Sequence, residues 1–189
     1  MKKSNGKKIY PALSHKMGYN PYNDEHYWTT YTTRMSLKEV AENIITPGEY
    51  SITKNNKQLR LMYQRKIRLN RVIKIAEYMR DRPDRIFGPL IVAIIGAKTN
   101  FISNSDMDDY VSPNGSSSGW FEIDDSEDAN YVSIDGQHRL AAIRIITDTD
   151  IGSLTDENYE PLSDSKIRNL RKEFSNNPLT PKSLIDEEI

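Results

Sequence analysis

The stretch Val132-Ser133-Ile134-Asp135-Gly136-Gln137-His138-Arg139-Leu140-Ala141-Ala142-Ile143 decides the fold of this chain. The apolar, largely β-branched residues at its start, from Tyr131 on, predict a short buried strand. The apolar residues from Leu140 to Ile146 predict a packed helix that begins directly after the strand. A glycine turn between a strand and a helix presents backbone N–H groups and the positive end of the helix dipole. The pattern is therefore a candidate phosphate-binding turn.

The side chains of the turn support two interpretations. In the first, Gly136 lets a ligand approach the backbone, and His138 and Arg139 add donors. Arg139 can bind a phosphate through two N–H groups at once. In the second, Asp135 only caps the helix, Gly136 only makes a turn, and Arg139 pairs with a structural carboxylate. The residues alone leave both interpretations open.

The composition excludes several classes of protein. The chain has 189 residues, a formal net charge of -1 and no cysteine. The absence of cysteine excludes disulfides, thiolate metal sites and cysteine catalysis. The basic N-terminus lacks the apolar segment of a signal peptide, and the apolar run Leu90–Ile95 is too short to span a bilayer. We expect a cytoplasmic protein.

The N-terminal third of the chain predicts an arm, a strand and a helix. Residues 1–26 are interpreted as a basic and tyrosine-rich N-terminal arm, which is expected to be loose up to about residue 18. Residues Tyr27 to Thr33 are rich in aromatic residues and threonine, which favours a strand over a surface for stacking bases. Ser36 and Glu39 have the spacing of a capping box. The following helix is expected to bury Leu37, Val40, Ala41 and Ile44 and to end at Thr46-Pro47-Gly48.

The later elements follow from apolar spacing. Residues 59–63 alternate as a half-buried strand, and Leu90–Ile95 predicts a central strand buried on both faces. Trp120–Ile123 predicts a strand that forms a hairpin with Tyr131–Ile134. Two helices are expected to bury stripes at helical spacing. These stripes are Val72, Ile75, Ala76 and Met79 in the first, and Ile167, Leu170 and Phe174 in the second, which lies in the C-terminal segment.

Charge is segregated along the chain. Residues 54–85 are strongly basic, which indicates either a solvated helix face or a nucleic-acid footprint. Arg68, Arg71 and Lys74 are the candidate DNA-binding residues. Residues 103–130 are acidic and include a loop tip at Pro113–Gly119. A solvated acidic loop is preferred over a cation site because no metal-loop spacing is present, and no metal ligands are assigned.

The signature resembles a known family. Asp-Gly-Gln-His-Arg followed by Leu-Ala-Ala-Ile is similar to the DGQHR-domain proteins, whose DndB-like branch belongs to bacterial DNA phosphorothioation systems. These proteins are similar to the wider ParB/sulfiredoxin superfamily. The resemblance covers roughly residues 27–147. It implies an α+β fold, a small mixed β-sheet with packed helices. It also implies a nucleotide-phosphate site at Asp135, Gly136, Gln137, His138 and Arg139, with Gln64 and Arg65 as a second component.

The resemblance also carries the functional expectations. It implies a DNA-associated regulatory or accessory protein of bacterial or phage DNA modification or defence. The expected partners are DNA, a nucleotide and other modification or defence proteins, and the expected cofactors are a nucleoside triphosphate and Mg2+. The alternative is an NTP-hydrolysing or nuclease subunit of a GmrS-like or ParB-like restriction system, with Asp135 and His138 as catalytic residues. Sulfiredoxin chemistry is excluded because Gln137 stands where that chemistry needs a cysteine.

The C-terminal segment departs from the family pattern. Residues 148–189 are interpreted as a polar linker followed by a helical segment. The resemblance implies that an apolar strand should return to the sheet soon after the signature helix, and residues 148–189 show no such pattern. We expect either a shortened family member or a piece of a longer chain.

Overall fold

Two separate sheets organise the computed structural model of the chain. It describes residues 2–4, 7–20, 25–47, 49–50, 67–82, 86–104, 116–124, 129–147 and 162–175. The chain divides into two units. The first unit comprises Met1–Arg34 and Gly96–Ala129, and the second comprises Met35–Ile95 and Asn130–Ile189.

The first unit is an antiparallel sheet. Its strands are β1 (Lys2–Ser4), β2 (Lys7–Asn20), β3 (Glu25–Thr33), β6 (Thr99–Ser103) and β7 (Ser116–Asp124). Strand β2 pairs with β1, β3 and β7, and β7 also pairs with β6. One face is buried, because the Tyr31 ring stacks on Phe121 with 4.3 Å between centroids and Tyr10 is also buried.

The second unit surrounds a three-stranded sheet in the order β4 (Ile44–Ile45), β8 (Asn130–Asp135), β5 (Ile91–Ile95). Strand β4 is parallel to β8, and β5 is antiparallel to it. The helices of this unit are α1 (Leu37–Asn43), α2 (Leu69–Asp81), α3 (Gln137–Ile146) and α4 (Asp164–Ser175). Helices α1, α2 and α4 all pack against α3. The α+β class is confirmed.

Several local predictions are confirmed. The Ser36 hydroxyl accepts the Glu39 N–H, and Glu39 Oε2 accepts the Ser36 N–H at 3.0 Å, which completes the capping box. Helix α2 buries Val72, Ala76 and Met79, with Ile75 half-buried. Helix α4 buries Leu170 and Phe174. The patterns work at these positions because one apolar stripe is buried against one neighbour.

The prediction of a loose N-terminal arm is wrong. Residues 2–4 and 7–20 form strands β1 and β2, and from Lys7 to His15 buried side chains alternate with more exposed ones. Lys8 occupies one of the inward positions, at 7% exposure. Because a charged lysine occupies an inward position, the alternation of buried and exposed side chains does not appear as an alternation of apolar and polar residues.

The prediction that Trp120–Ile123 forms a hairpin with Tyr131–Ile134 is also wrong. Strand β7 pairs with β2 and β6, whereas β8 pairs with β4 and β5 in the other unit. Strand β7 begins at Ser116, so residues 116–119 of the predicted loop tip are strand, and residues 113–115 lie outside the described residues. A Cβ atom on Gly119 would overlap the Ile102 carbonyl, so this glycine permits close approach of two strands rather than a turn.

Two predictions in the second unit are wrong. Leu90–Ile95 was expected to be central, but β5 is at the end of the sheet order and β8 is central. Ile91 is accordingly 54% exposed. Ile44 was assigned to the first helix, but it pairs with Tyr131 as part of β4. Ile44 and Ile45 are β-branched, and the pairing gives their backbone groups sheet partners directly after the helix ends.

The remaining predicted elements cannot be compared. The strand at 59–63 and residues 148–161 of the linker lie outside the described residues. Within the described part of the chain, no helix is long and apolar enough to cross a membrane.

Candidate functional site

The signature turn connects the central strand to the central helix of the second unit. Strand β8 ends at Asp135, and Gly136 adopts a left-handed conformation with φ of 90°. The Leu140 N–H donates to the Gly136 carbonyl at 2.9 Å, so Gly136 is the N-cap of α3. The alternative in which Asp135 caps the helix is wrong, because the helix begins one residue later.

Glycine is required at position 136 for two reasons. Its φ lies in a region that L-residues with a side chain rarely adopt. A Cβ atom here would also overlap Leu90 Cδ2 and lie 3.1 Å from Arg139 Nη2. The turn is therefore packed closely on one side, and any ligand must approach its exposed side.

Arg139 folds back over the turn. Its Nη1 donates to the Gly88 carbonyl at 2.5 Å, and its Nη2 lies 3.4 Å from Asp135 Oδ2. A Cβ atom on Gly88 would lie 2.8 Å from Nη1, so the guanidinium lies closely against that backbone. In this structure Arg139 therefore pairs with a carboxylate, as the second of the two interpretations expects. The sequence did not identify Gly88 or Leu90 as parts of the turn, because their proximity depends on the β5–β8 pairing.

His138 joins the start of α3 to the start of α2. Its Nε2 accepts the backbone N–H of Arg68, with 3.0 Å between the nitrogens. Arg68 is the N-cap residue of α2 and makes no side-chain capping bond of its own. Because Nε2 is the acceptor, the ring carries its proton on Nδ1. The imidazole therefore acts as an acceptor at the beginning of a second helix.

Burial lowers the pKa of His138 from its ordinary value of 6.5, and the positive charges of Arg71 and Arg68 lower it further. A neutral ring is also what the hydrogen bond from Arg68 requires. His138 is consequently uncharged at neutral pH and contributes no positive charge to the turn.

Positive charge comes instead from α2. Arg68, Arg71 and Lys74 are spaced three residues apart and are all exposed, whereas Val72 and Ala76 of the same helix are buried. Both arginines are close enough to His138 to affect its titration. The N-termini of α2 and α3 thus meet at one imidazole, beside an exposed basic face. This juxtaposition presents two positive helix ends and three cations to solvent.

A buried ion pair fixes the other end of α3. Arg144 Nη1 lies 2.8 Å from Glu49 Oε1, and Arg144 Nη2 donates to the Ile44 carbonyl at 2.8 Å. Glu49 Oε2 also accepts the Thr46 N–H at 2.6 Å. No local sequence pattern identifies this pair, because its members lie far apart in the chain.

Other predicted site residues are placed as follows. Gln137 is buried at the first position of α3, which limits its access to a ligand. Gln64 and Arg65 lie outside the described residues, so their place beside the turn stays a prediction. Among the described residues, no three His, Asp or Glu side chains form a group that could hold a metal ion. Residues 105–115 and 125–128 of the acidic loop are outside that search.

Comparison with known proteins gives one match. A family model described as DndB, DNA-sulfur modification-associated, matches residues 27–167, which is well over half of the chain. The matched range includes the turn, the basic helix and the Arg144–Glu49 pair. No curated protein matches, and no solved structure matches.

Proposed function

The chain belongs to the DndB family of DNA-sulfur modification-associated proteins, and from this membership we propose that it acts as a DNA-associated, phosphate-binding accessory or regulatory protein. Arg68, Arg71 and Lys74 bind the DNA backbone. The Asp135–Arg139 turn binds the phosphates of a nucleotide.

The observation that carries the proposal is the meeting of two helix N-termini beside exposed cations. The Arg68 N–H is bound by His138 Nε2, so the starts of α2 and α3 are held together. Arg68, Arg71 and Lys74 extend along the first turns of α2 and are exposed. Phosphates are attracted both to positive helix ends and to basic side chains. A polyanion in contact with this face gains both interactions.

Backbone donors support the nucleotide part of the proposal. Gly136 has no side chain to cap the first N–H groups of α3, and its left-handed conformation turns the chain sharply before them. Arg139 already contacts Gly88 and Asp135. Its role at the turn is therefore to hold the backbone donors in place. The Arg139 guanidinium would contact a phosphate directly only after leaving Asp135.

Hydrolysis has weaker support than binding. His138 Nε2 is occupied by the Arg68 N–H, and its Nδ1 carries the remaining proton. A general base needs a free lone pair on a ring nitrogen. We therefore propose binding and leave hydrolysis by Asp135 and His138 out of the proposal.

The DNA part is tested by charge reversal. Fluorescence anisotropy with a labelled duplex at low salt should show binding by the wild type. Arg71→Glu combined with Lys74→Glu should weaken binding to duplexes of different sequence by about the same factor, because phosphate contacts position the protein without reading bases. The matched control is Arg34→Glu with Lys38→Glu, which reverses two exposed cations outside α2. Equal binding by the α2 variant and the control variant would contradict the assignment of this face.

The nucleotide part is tested by thermal unfolding with each of the four common nucleoside triphosphates, with and without Mg2+. A ligand at one hundred times its Kd stabilises the native state by about 2.7 kcal/mol. Arg139→Lys keeps the charge but loses the planar fork, so it should reduce the stabilisation. Lys38→Glu serves as a control. If no triphosphate raises Tm, the turn does not bind nucleotides, while the DNA result stands by itself.

A further inference from the structure

Helix α4 presents a second basic face. Leu170 and Phe174 are buried, and Lys166, Arg168 and Lys172 are exposed. The sequence of the helix contains four basic residues and two acidic ones, and one of the acids, Asp164, lies in the first turn, where it complements the helix dipole. Arg168 and Lys172 are four residues apart and therefore lie on one side of the helix, away from the buried Leu170 and Phe174.

This helix is attached to the same structural unit as the basic face of α2. Both helices pack against α3. At their C-terminal ends, the Arg80 guanidinium of α2 lies 5.2 Å from the centroid of the Phe174 ring of α4. The salt bridge of Arg80 with Asp81 at 2.5 Å holds the guanidinium in position from the α2 side.

The dimensions suit one segment of duplex DNA. A helix rises about 1.5 Å per residue, so Lys74 and Arg168 each lie about 9 Å along their own helices from the Arg80–Phe174 contact. Two helices that touch through their side chains have axes about one helix diameter, roughly 10–12 Å, apart at the contact. The two basic faces are therefore separated by less than one turn of B-form DNA, which is about 34 Å.

We propose that α4 is a second backbone-binding element, whose Arg168 and Lys172 contact phosphates of the duplex that α2 binds. This inference rests on the proposed DNA binding by α2. It extends the interface beyond residue 167, where the family match ends. A lone basic helix is often only a solvated face, but here a second basic face lies within one DNA turn on the same unit.

The test compares three variants with equal changes in net charge. Arg168→Glu with Lys172→Glu alters α4, Arg71→Glu with Lys74→Glu alters α2, and Arg34→Glu with Lys38→Glu is the control. All six side chains are exposed, so the variants should fold, which circular dichroism and Tm verify. Affinity for a labelled duplex of about 24 base pairs is measured across a range of salt concentrations. Each lost phosphate contact lowers the slope of log K against log salt by about 0.9. The α4 variant should therefore lose about two units of slope relative to the control.

The outcomes separate the two proposals. If the α2 variant is weakened and the α4 variant matches the control, the second element is wrong and the first stands. If only the α4 variant is weakened, DNA is bound through α4 and the assignment to α2 is wrong. If both match the control, or if the wild type fails to bind, both proposals are overturned.

Discussion

At the scale of single residues, the signature turn depends on contacts that differ from those usually assigned to such a motif. Gly136 is needed for its positive φ and for its contact with Leu90. His138 is a hydrogen-bond acceptor for the backbone of Arg68. Arg139 joins Gly88 to Asp135. Three residues of a conspicuous motif therefore have structural contacts as well as a proposed ligand.

Gly136→Ala should destabilise the protein by about 2–4 kcal/mol. The left-handed conformation costs an L-residue about 1–2 kcal/mol, and overlap with Leu90 adds a packing penalty of similar size. Urea unfolding measures the loss. In a Leu90→Ala background the same substitution should cost only about 1–2 kcal/mol, because the overlap is gone. An equal cost in both backgrounds would show that Leu90 is irrelevant to the glycine requirement.

The lowered pKa of His138 predicts a dependence of stability on pH. Above the ordinary pKa of 6.5 the folded and unfolded states both hold a neutral ring, so the stabilisation is fully present. As the pH falls below 6.5, the unfolded state binds a proton that the folded state resists, and stability is lost until the folded pKa is reached. Unfolding free energies at pH 7.5 and 5.5 measure this loss.

His138→Gln is the control for this prediction, since an amide oxygen can accept the Arg68 N–H without titrating in this range. The wild type should lose more stability than His138→Gln between the two pH values. Equal losses in the two proteins would mean that His138 does not control this part of the pH dependence.

At the scale of elements, α3 is the centre of the second unit. Eight of its ten residues are buried, including Arg144. A charged side chain at a buried position needs a partner, and Glu49 with the Ile44 carbonyl supplies one. The ion pair thereby ties the segment after α1 to α3 and fixes the helix whose N-terminus forms the turn.

Arg144→Met should destabilise the protein by about 3 kcal/mol, at the lower end of the cost of breaking a buried ion pair, because the Glu49 side chain is still 24% exposed. Chemical denaturation measures this value. Glu49→Gln should cost less, and the double variant should cost less than the two single losses added together, since the partners interact directly. Strict additivity would contradict a coupled pair.

At the scale of the whole molecule, an almost neutral chain carries separated charges. The net charge is -1, yet residues 54–85 and helix α4 are both rich in lysine and arginine. Net charge describes solubility, whereas binding to a polyanion depends on the local field. The first basic region includes the family-matched helix α2, and the second lies largely beyond the matched residues.

DNA binding should therefore depend steeply on salt. If Arg68, Arg71 and Lys74 each contact one phosphate, log K should fall against log salt with a slope of about -3, and contacts from α4 should make it steeper. Anisotropy titrations between about 50 and 200 mM salt give the slope. A slope near zero would indicate that phosphate contacts do not drive binding.

The sequence by itself determined the elements whose signals are local. The capping box at Ser36, the stripe of α2 and the strand–glycine–helix order of the signature all depend on residues a few positions apart. The Asp-Gly-Gln-His-Arg stretch also predicted the DndB-like family, which the match over residues 27–167 confirms. Local backbone and side-chain preferences are sufficient for such features because the interacting groups are neighbours in the chain.

Only the tertiary structure decided which strands pair and what the turn contacts. Strand β7 pairs with β2, about one hundred residues away, instead of with β8, its neighbour in sequence. The pairing of β5 with β8 brings Leu90 and Gly88 to the turn, and helix packing brings Arg68 to His138. Alternating and apolar sequence patterns indicate that a strand has a buried face. They do not identify the neighbouring strand, because every strand offers the same backbone donors and acceptors for pairing. The choice of partner therefore depends on how all the buried faces fit together in three dimensions.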